Sequence, residues 1–438
     1  MQEVQGDIFL RQDEQKNLDR ALSHYKKSIA IQPNNLILLL KMGKAYDRKR
    51  EYNEAVQQYT KALLKEPDNT SIMFKLGWAY LRAGQKEKGL VQMRRSIGSG
   101  DTNIFNQIKL AEVLMRQDDK KQRMEAIEIL EKTLKSSPGC TEAMVVLGRT
   151  YERLDQVQKA RETYKMAVSQ PNCKNVSAFF YYGVFLQHNK EFDEAIRNLK
   201  QCLAIDTENF GACIHLASLL ANTGESKKAA KYYKHALKLD PNSIEANFGM
   251  GKILHAITSI GGSSIPYFKK VLEQDPNYFK AHCELGIVYC QSTKFEKAAE
   301  SIKKCLSINP KYVPGLVAMG NLLFETGHTK QSMNYFEQAL KFNNKEIYAL
   351  IGLGNAVYDL NEPQKAIDYY LQALQIDENL PDVHYNLANS YFLLGKTTTS
   401  IPYYQKAIDL NPDKSESHYN LGNAFCVLKE YDEAINSF

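Results

Sequence analysis

The sequence predicts an all-α solenoid of about twelve helix-turn-helix repeats. Three observations indicate this fold. Small and apolar residues recur at a spacing of about 34 residues along the 438-residue chain, each period holds two amphipathic helical segments, and many periods close at a proline. Neither helix of a period buries its apolar stripe alone, so each repeat must stack on the next.

The segment 381–414 shows the repeat most clearly. Ala388 and Tyr391 share one face of a first helix, while Tyr404 and Ala407 lie on the inward face of a second helix. The alanines are small where two helices approach closely, and the tyrosines fill the wider gaps. The same positions return in register along the chain, so one packing scheme is expected throughout.

These spaced positions resemble the tetratricopeptide repeat: a small residue three before a tyrosine, then an alanine, then a proline. The resemblance covers essentially the whole sequence. It implies a right-handed superhelix whose first helices line a concave surface. It also implies the usual activity of that family, which is to hold a peptide or helix of another protein against that surface.

The order of the repeats follows from this register. Residues 1–35 are predicted to be a degenerate first repeat or a cap, because Ala21 and Tyr25 fit a second helix but no Gly-x-x-Tyr precedes them. Residues 36–414 are predicted to form a continuous array. Its first helices are expected near Leu36, Gly77, Ile104, Thr141, Val176, Phe210, Ile244, Phe279, Val313, Ile347 and Pro381.

Several repeats depart from the pattern. Gly89 replaces the packing alanine and is expected to soften its helix by roughly 0.5–1 kcal/mol. Three extra residues near Asp118 are expected to lengthen a surface turn. Pro266 and Pro402, in the similar segments SSIPYF and TSIPYY, are expected in the first turn of their helices and should shorten them.

The segment 415–438 is predicted to be an incomplete last repeat, since Phe438 falls midway through a helix. Solenoids of this kind normally close with a polar capping helix. We therefore expect that more sequence follows, or that a partner covers the open end.

Composition restricts the partners that are expected. The net charge of +6 and the isoelectric point of about 8.6 are mild for this length and demand no polyanion. The first-helix positions are mostly apolar, which argues against nucleic acid. No apolar run approaches about 18 residues, and the amino terminus is polar, so neither membrane insertion nor a signal peptide is predicted. We expect a cytoplasmic protein.

No catalytic residue, metal site or cofactor is predicted. The eight cysteines include no CxxC pair, and Cys202 and Cys305 fall at the slot of the packing alanine, where burial is the expected role. His282, His384 and His418 share one repeat position, which favours a structural role over acid–base work. The sequence therefore indicates a protein that is not an enzyme.

Four asparagines, one repeat length apart, are the candidate binding site. This asparagine row consists of Asn321, Asn355, Asn389 and Asn423, and each side chain offers both a donor and an acceptor to a ligand backbone. In the alternative interpretation, neighbouring helices satisfy the amides. Aromatic residues on the same surface are either binding residues or packing residues between first helices: Phe324, Tyr348, Tyr358, Tyr385, Phe392 and Tyr419.

The expected function is a non-catalytic scaffold or adaptor that grips partner proteins on its concave surface, as a subunit of a larger complex. The family resemblance adds that long arrays recur in ciliary, cytoskeletal and transport assemblies, so a ciliary or cytoskeletal location is a further expectation. One alternative stays open: the array is the substrate-recognition arm of an enzyme, such as a glycosyltransferase, whose catalytic domain lies beyond residue 438.

Overall fold

Residues 15–258 and 261–437 are described by a computed structural model of the protein, and they form 25 α-helices. No β-strand occurs among these residues. The helices divide into two units, the first ending at Thr207 and the second beginning at Glu208. None of the described helices is both long and apolar enough to cross a bilayer.

The first unit contains α1 to α11. Helix α1 matches the second helix expected within residues 1–35, whereas the preceding first helix would fall outside the described residues. The bounds are α1 Gln15–Ile31, α2 Leu36–Lys49, α3 Tyr52–Lys65, α4 Thr70–Arg82, α5 Lys86–Gly98, α6 Ile104–Met115, α7 Lys120–Ser136, α8 Thr141–Glu152, α9 Val157–Val168, α10 Val176–His188 and α11 Phe192–Ile205.

The second unit contains α12 to α25. The bounds are α12 Phe210–Asn222, α13 Ser226–Leu239, α14 Ile244–Ile257, α15 Ile265–Gln274, α16 Phe279–Gln291, α17 Phe295–Ile308, α18 Val313–Glu325, α19 Thr329–Phe342, α20 Ile347–Asp359, α21 Pro363–Ile376, α22 Pro381–Leu393, α23 Thr397–Leu410, α24 Ser415–Leu428 and α25 Tyr431–Ser437. Even-numbered helices are first helices and odd-numbered helices from α3 are second helices, which confirms the predicted helix pairs. The division into a cap, a continuous array and an incomplete repeat stays a prediction.

A small residue of the first helix faces a ring of the second helix in many of these pairs. A Cβ atom added to Gly43 would lie 2.5 Å from the ring of Tyr59, and one added to Gly354 would lie 2.4 Å from the ring of Tyr370. Tyr404 is buried and faces α22, where Ala388 is fully buried. The predicted packing of small residues against tyrosines is therefore confirmed.

Asparagine side chains fix where several first helices begin. The side chain of Asn35 accepts a hydrogen bond from the backbone N–H of Leu38, and that of Asn69 accepts one from Ile72. Asn175 and Asn209 cap α10 and α12 in the same way. Each cap satisfies a backbone donor that the helix cannot pair internally and contributes about 1 kcal/mol. The caps thereby keep the helix starts in register with the repeat.

Gly89 has a different role from the one expected. It lies in α5 against Gly77 of α4, and a Cβ on either glycine would approach the carbonyl oxygen of the other to 2.8 Å. The two backbones are thus in direct contact, so alanine has no room at this position. Glycine allows this close approach, and its expected softening of the helix stays a prediction.

The three extra residues near Asp118 lengthen a helix and not a turn. Helix α7 has 17 residues, whereas α3 has 14, and its start is capped by the side chain of Asp119, which accepts from the N–H of Lys121 at 2.9 Å. Lysine, glutamine and arginine follow the cap, and these residues favour helix. The insertion therefore adds about one turn to α7.

The two prolines differ from each other. Pro266 lies at the start of α15, which has only 10 residues, so its predicted effect is confirmed. Pro402 instead lies inside α23, a helix of 14 residues that begins at Thr397. Proline removes one backbone donor, but the residues before Pro402 have already formed the first turn, where Ser400 Oγ donates to the Thr397 carbonyl at 2.7 Å. The shortening predicted for this helix is wrong.

Candidate peptide-binding site

The asparagine row occupies the ninth residue of four successive first helices, α18, α20, α22 and α24. All four helices belong to the second unit. Because the helices begin one repeat length apart, the four side chains occupy equivalent places on successive first helices. The residues three, four and seven positions away share the same face of each helix.

Asn355 and Asn389 are held by identical sets of hydrogen bonds. Asn355 Oδ1 accepts from the Tyr370 hydroxyl at 2.8 Å and from Asn386 Nδ2 at 3.0 Å. Asn389 Oδ1 accepts from the Tyr404 hydroxyl at 2.7 Å and from Asn420 Nδ2 at 3.0 Å. In each case the tyrosine belongs to the second helix of the same repeat, and the second asparagine belongs to the next first helix.

These contacts determine the direction of the two amides. Both donors bind the side-chain oxygen, and neither Asn355 Nδ2 nor Asn389 Nδ2 donates to a protein atom among the described residues. The amide nitrogens therefore face outward with their hydrogens available. A carbonyl oxygen of a ligand is the natural partner for such a donor.

The tyrosine hydroxyls remain donors at physiological pH. Burial raises the pKa of Tyr370 and of Tyr404 well above the usual range of a phenol. Burial also raises the pKa of Tyr358, on the first helix α20. The hydroxyls of Tyr370 and Tyr404, which orient the row, are therefore protonated over the whole pH range in which the protein would be assayed.

Three cavities follow the row. The first has a volume of about 560 Å³ and is lined by Asn321 and Asn355 among others. The second, of about 270 Å³, is lined by Asn355 and Asn389, and the third, of about 200 Å³, by Asn389 and Asn423. The two oriented asparagines therefore each border two cavities, whereas the outer two each border one.

Aromatic side chains form walls of these cavities. Phe324, Tyr358 and Phe392 each lie three residues after a member of the asparagine row, so they sit one turn further along the same helix face. Phe324 lines the first and second cavities, Tyr358 the second and third, and Phe392 the third. The structure therefore brings these three predicted aromatics together with the row.

The other three predicted aromatics lie elsewhere. Tyr348 and Tyr419 are exposed, at 68% and 60%, and line none of the three cavities. The Tyr385 hydroxyl accepts from Asn420 Nδ2 at 2.9 Å, and the Lys414 ammonium lies 4.4 Å from its ring centre. Tyr385 therefore packs between repeats, which corresponds to the alternative role considered for it.

The row is not uniform from end to end. Phe336 stands where Tyr370 and Tyr404 stand in the next two repeats, so Asn321 has no equivalent hydroxyl to bind its oxygen. Asn321 is also exposed, whereas Asn355, Asn389 and Asn423 are partly buried. The best-defined part of the site is therefore the pair Asn355 and Asn389.

Sequence reasoning missed the residues that orient this pair. Asn386 and Asn420 each precede a member of the row by three residues, and Tyr370 and Tyr404 each follow one by 15 residues. The two asparagines are 34 residues apart, and so are the two tyrosines. That shared spacing was the available signal, although spacing alone does not show which side chains touch.

The histidines take structural positions. Each Nε2 lies within hydrogen-bonding distance of a backbone carbonyl oxygen six residues earlier: 3.0 Å for His282, 2.9 Å for His384 and 3.0 Å for His418. Cys202 and Cys305 are fully buried, as expected. Within residues 15–258 and 261–437, no group of three or more His, Cys, Asp or Glu side chains could hold a metal ion.

Family models match much of the chain. A model described as "TPR repeat" matches residues 354–395. Models described as "Tetratricopeptide repeat" match residues 40–99, 110–173, 186–247, 267–300, 313–346, 381–414 and 403–436.

Two curated relatives are similar to parts of the chain. The Photosystem I assembly protein Ycf3 of Acaryochloris marina (strain MBIC 11017) is 30% identical over 107 residues, which is 23% of this chain and 64% of the relative. The CTR9 homolog of Arabidopsis thaliana is 28% identical over 111 residues, which is 25% of this chain and 10% of the relative. The chain thus spans less than two thirds of either relative.

Solved structures with a similar arrangement include three proteins. "YrrB: a TPR protein with an unusual peptide-binding site" is 22% identical, with a TM-score of 0.41, over 44% of this chain and 98% of that one. Yeast Tom70 is 15% identical, with a TM-score of 0.44, over 98% and 95%. The Cut9-Hcn1 complex is 16% identical, with a TM-score of 0.48, over 93% and 87%.

Proposed function

Because the chain belongs to the tetratricopeptide repeat family, we propose that it is a non-catalytic adaptor that holds an extended segment of a partner protein along the asparagine row. The observation that carries this proposal is the fixed direction of Asn355 and Asn389. Their oxygens are occupied by protein donors, their nitrogens have no protein partner among the described residues, and both side chains line the same cavity. The site therefore presents two donors, one repeat apart, to a ligand that has acceptors at a matching separation.

An extended backbone meets this requirement better than a helix. The carbonyl groups of a helical partner already accept hydrogen bonds from their own chain, apart from the last turn. In an extended segment they are free to accept from the asparagines. Aromatic walls beside each donor add apolar area for the side chains of the segment. The recognition mode combines main-chain hydrogen bonds with side-chain pockets.

The spacing of the helices sets the repeat of the ligand. Packed helices lie about 8–10 Å apart, and an extended chain advances about 3.3 Å per residue. About three residues of the segment therefore pass each first helix, if adjacent first helices keep that separation. We expect segments that bind to offer an apolar side chain at about every third position.

The test is a selection from a display library of random peptides, followed by affinity measurement. The variant Asn355→Ala with Asn389→Ala should weaken selected peptides about 30-fold, since two hydrogen bonds of about 1 kcal/mol each are removed. The matched control is Asn344→Ala with Asn379→Ala, which changes two exposed asparagines outside the row. Unchanged affinity in the first variant, with its melting temperature preserved, would reject the proposal.

We also propose that this adaptor works in the assembly of a larger complex, in a cytoplasmic, ciliary or cytoskeletal setting. The matching relative Ycf3 is itself named as an assembly protein, which supports the role in assembly. The proposed location is supported by the general occurrence of long repeat arrays in assemblies of this kind. Imaging of a fluorescent fusion at native expression level tests it, and a distribution confined to other compartments would reject it.

A further inference from the structure

Helix α13 carries a row of lysines and no acidic residue. Its sequence, SKKAAKYYKHALKL, places lysines at spacings of four, three and four residues, so their ammonium groups lie on one face of the helix. All four are exposed. This lysine face consists of Lys227, Lys231, Lys234 and Lys238.

One position of the lysine face is also a lysine in the second helices of the next two repeats. Lys234 of α13, Lys269 of α15 and Lys303 of α17 are each followed two residues later by a buried residue of the helix core, so they hold equivalent positions. A cavity of about 820 Å³ lies beside the last two of these helices. Its lining includes one carboxylate, Glu300, and four lysines: Lys269, Lys297, Lys303 and Lys304.

The chain concentrates its charge here. Residues 226–308 contain 13 lysines and 7 acidic residues, a surplus of 6 that equals the formal net charge of the whole 438-residue chain, +6. The mild overall charge therefore conceals a local basic region. The rest of the sequence is balanced by comparison.

Among the described residues, Lys228 forms an ion pair with Glu225, but no ion pair involves the lysine face or the four lysines of the cavity. Like charges three and four residues apart on a helix disfavour the helix. The repulsion between these lysines therefore works against the stability of α13.

We propose that the lysine face of α13 and the lysine-lined cavity beside α15 and α17 bind an acidic, aspartate- and glutamate-rich segment of a protein. Charge complementarity is the argument: a row of exposed ammonium groups, extended over three successive repeats, attracts a row of carboxylates. Lysine ammonium groups act as flexible point charges and need no fixed ligand geometry. A disordered acidic segment offers that kind of charge without fixed structure.

Two other polyanions fit less well. Base-specific recognition of nucleic acid relies largely on arginine forks and on aromatic stacking, and the sequence contains no arginine after Arg197. Anionic membranes are bound by helices that add exposed apolar side chains to their lysines. Across the described part of residues 226–308, Ile257 is the one large apolar side chain that is exposed, and it lies at the end of α14.

This surface is separate from the site of the proposed function. The lysine cavity is lined by residues of α15, α16 and α17, and it shares no lining residue with the three cavities of the asparagine row. One protein could thus hold an extended segment on its first helices and an acidic segment on its second helices. The two proposals stand or fall independently.

The test uses a fluorescein-labelled glutamate-rich peptide, with a glutamine-rich peptide as the uncharged control. Replacing all four residues of the lysine face by glutamine should weaken binding of the acidic peptide about tenfold or more, because several ion pairs are lost. The matched control removes four exposed lysines elsewhere in the second unit: Lys330→Gln, Lys341→Gln, Lys345→Gln and Lys406→Gln. It should bind almost as well as the wild type.

Further measurements make the outcome decisive. Thermal melting should show that the lysine-face variant is at least as stable as the wild type, because like-charge repulsion has been removed. Binding should fall as salt rises from about 50 to about 300 mM, and it should survive Asn355→Ala with Asn389→Ala.

The proposal is overturned if the acidic peptide does not bind or if the matched control loses as much affinity. It is also overturned if single-stranded DNA or phosphatidylserine vesicles bind the lysine face more tightly than the peptide.

Discussion

At Asn389 a single buried hydroxyl and a neighbouring amide decide which way the side chain faces. The Tyr404 hydroxyl and Asn420 Nδ2 both donate to Asn389 Oδ1, so rotating the amide by half a turn would set its N–H groups against the amide donor of Asn420. The same holds for Asn355 with Tyr370 and Asn386. The direction of the side-chain amide decides that each asparagine offers its nitrogen, as a hydrogen-bond donor, to a ligand.

We predict that Tyr404→Phe weakens binding of an extended peptide about threefold to tenfold and destabilises the protein by only about 1 kcal/mol. The ring remains, as Phe336 shows in an equivalent position, but one hydrogen bond of about 1 kcal/mol to Asn389 is lost. Calorimetric titration of a selected peptide measures the effect. Tyr335→Phe, one residue before Phe336, is the control and should bind normally. Equal losses in both variants would contradict this explanation.

Gly89 gives a second prediction for a single residue. Alanine favours a helix over glycine by about 1 kcal/mol, yet Gly89→Ala should destabilise the protein by about 1–3 kcal/mol, because the new methyl group would contact the Gly77 carbonyl oxygen. Urea denaturation measures the change. The control is Gly98→Ala, at the end of the same helix. An added Cβ there would have no atom within 4 Å outside its chain neighbours and its own helix backbone, so this change should be neutral or stabilising. A stabilising Gly89→Ala would be evidence against the close contact of α4 and α5.

Between elements, the stacking of repeats is carried by side chains that reach from one helix pair to the next. In the first unit, Arg94 of α5 forms two hydrogen bonds of 2.7 Å with Glu125 of α7. In the second unit, His255 Nδ1 of α14 lies 3.6 Å from Glu284 Oε2 of α16, and its Nε2 lies 3.0 Å from Gln291 Oε1. These links help to fix neighbouring repeats against each other.

The His255 contact predicts a pH dependence. Hydrogen bonding to Glu284 raises the pKa of His255 above 6.5, against the opposing effects of burial and of Lys252. A histidine whose pKa is raised by folding stabilises the fold fully below its unfolded pKa, and this contribution is lost as the pH rises through the folded pKa. The melting temperature of the second unit should therefore fall as the pH rises from about 6 to about 8. His255→Gln should reduce that slope, and an identical slope in the variant would show that other groups cause it.

At the scale of the whole molecule, the repeats within each unit contact mainly their neighbours, so damage should remain local. Phe336 illustrates the coupling within the second unit: a Cβ on Gly320 of α18 or Gly352 of α20 would lie 2.5 or 2.4 Å from its ring. One buried ring thus joins two successive repeats. The first unit has its own buried core, around residues such as Tyr25 and Tyr59.

We predict that Phe336→Ala destabilises the second unit by about 3–5 kcal/mol and leaves the first unit protected. Hydrogen exchange followed by mass spectrometry should show faster exchange in α18 to α21 and unchanged exchange in α2 to α9. Tyr335→Phe again serves as the control. Uniform loss of protection across both units would mean that the array unfolds as a single cooperative body.

The repeat spacing predicted the helix pairs because each period carries its own small and aromatic residues. It did not predict where inserted residues go, since the Lys-Lys-Gln-Arg sequence of α7 is compatible with either a helix or a polar turn. Spacing also identified the asparagine row, but not the contacts of Tyr370 and Asn386, which lie on other helices. Helix periodicity is a local property, whereas the direction of an amide depends on neighbours in space.

The inter-repeat hydrogen bonds of the row all run the same way. Asn386 donates back to Asn355, and Asn420 donates back to Asn389, so in both links the later repeat donates the hydrogen bond and the earlier one accepts it. The row thus has a polarity along the chain, and its two ends are not equivalent. A bound peptide should consequently lie in one N-to-C direction only, and a peptide with the reversed sequence, although identical in composition, should be a poor ligand.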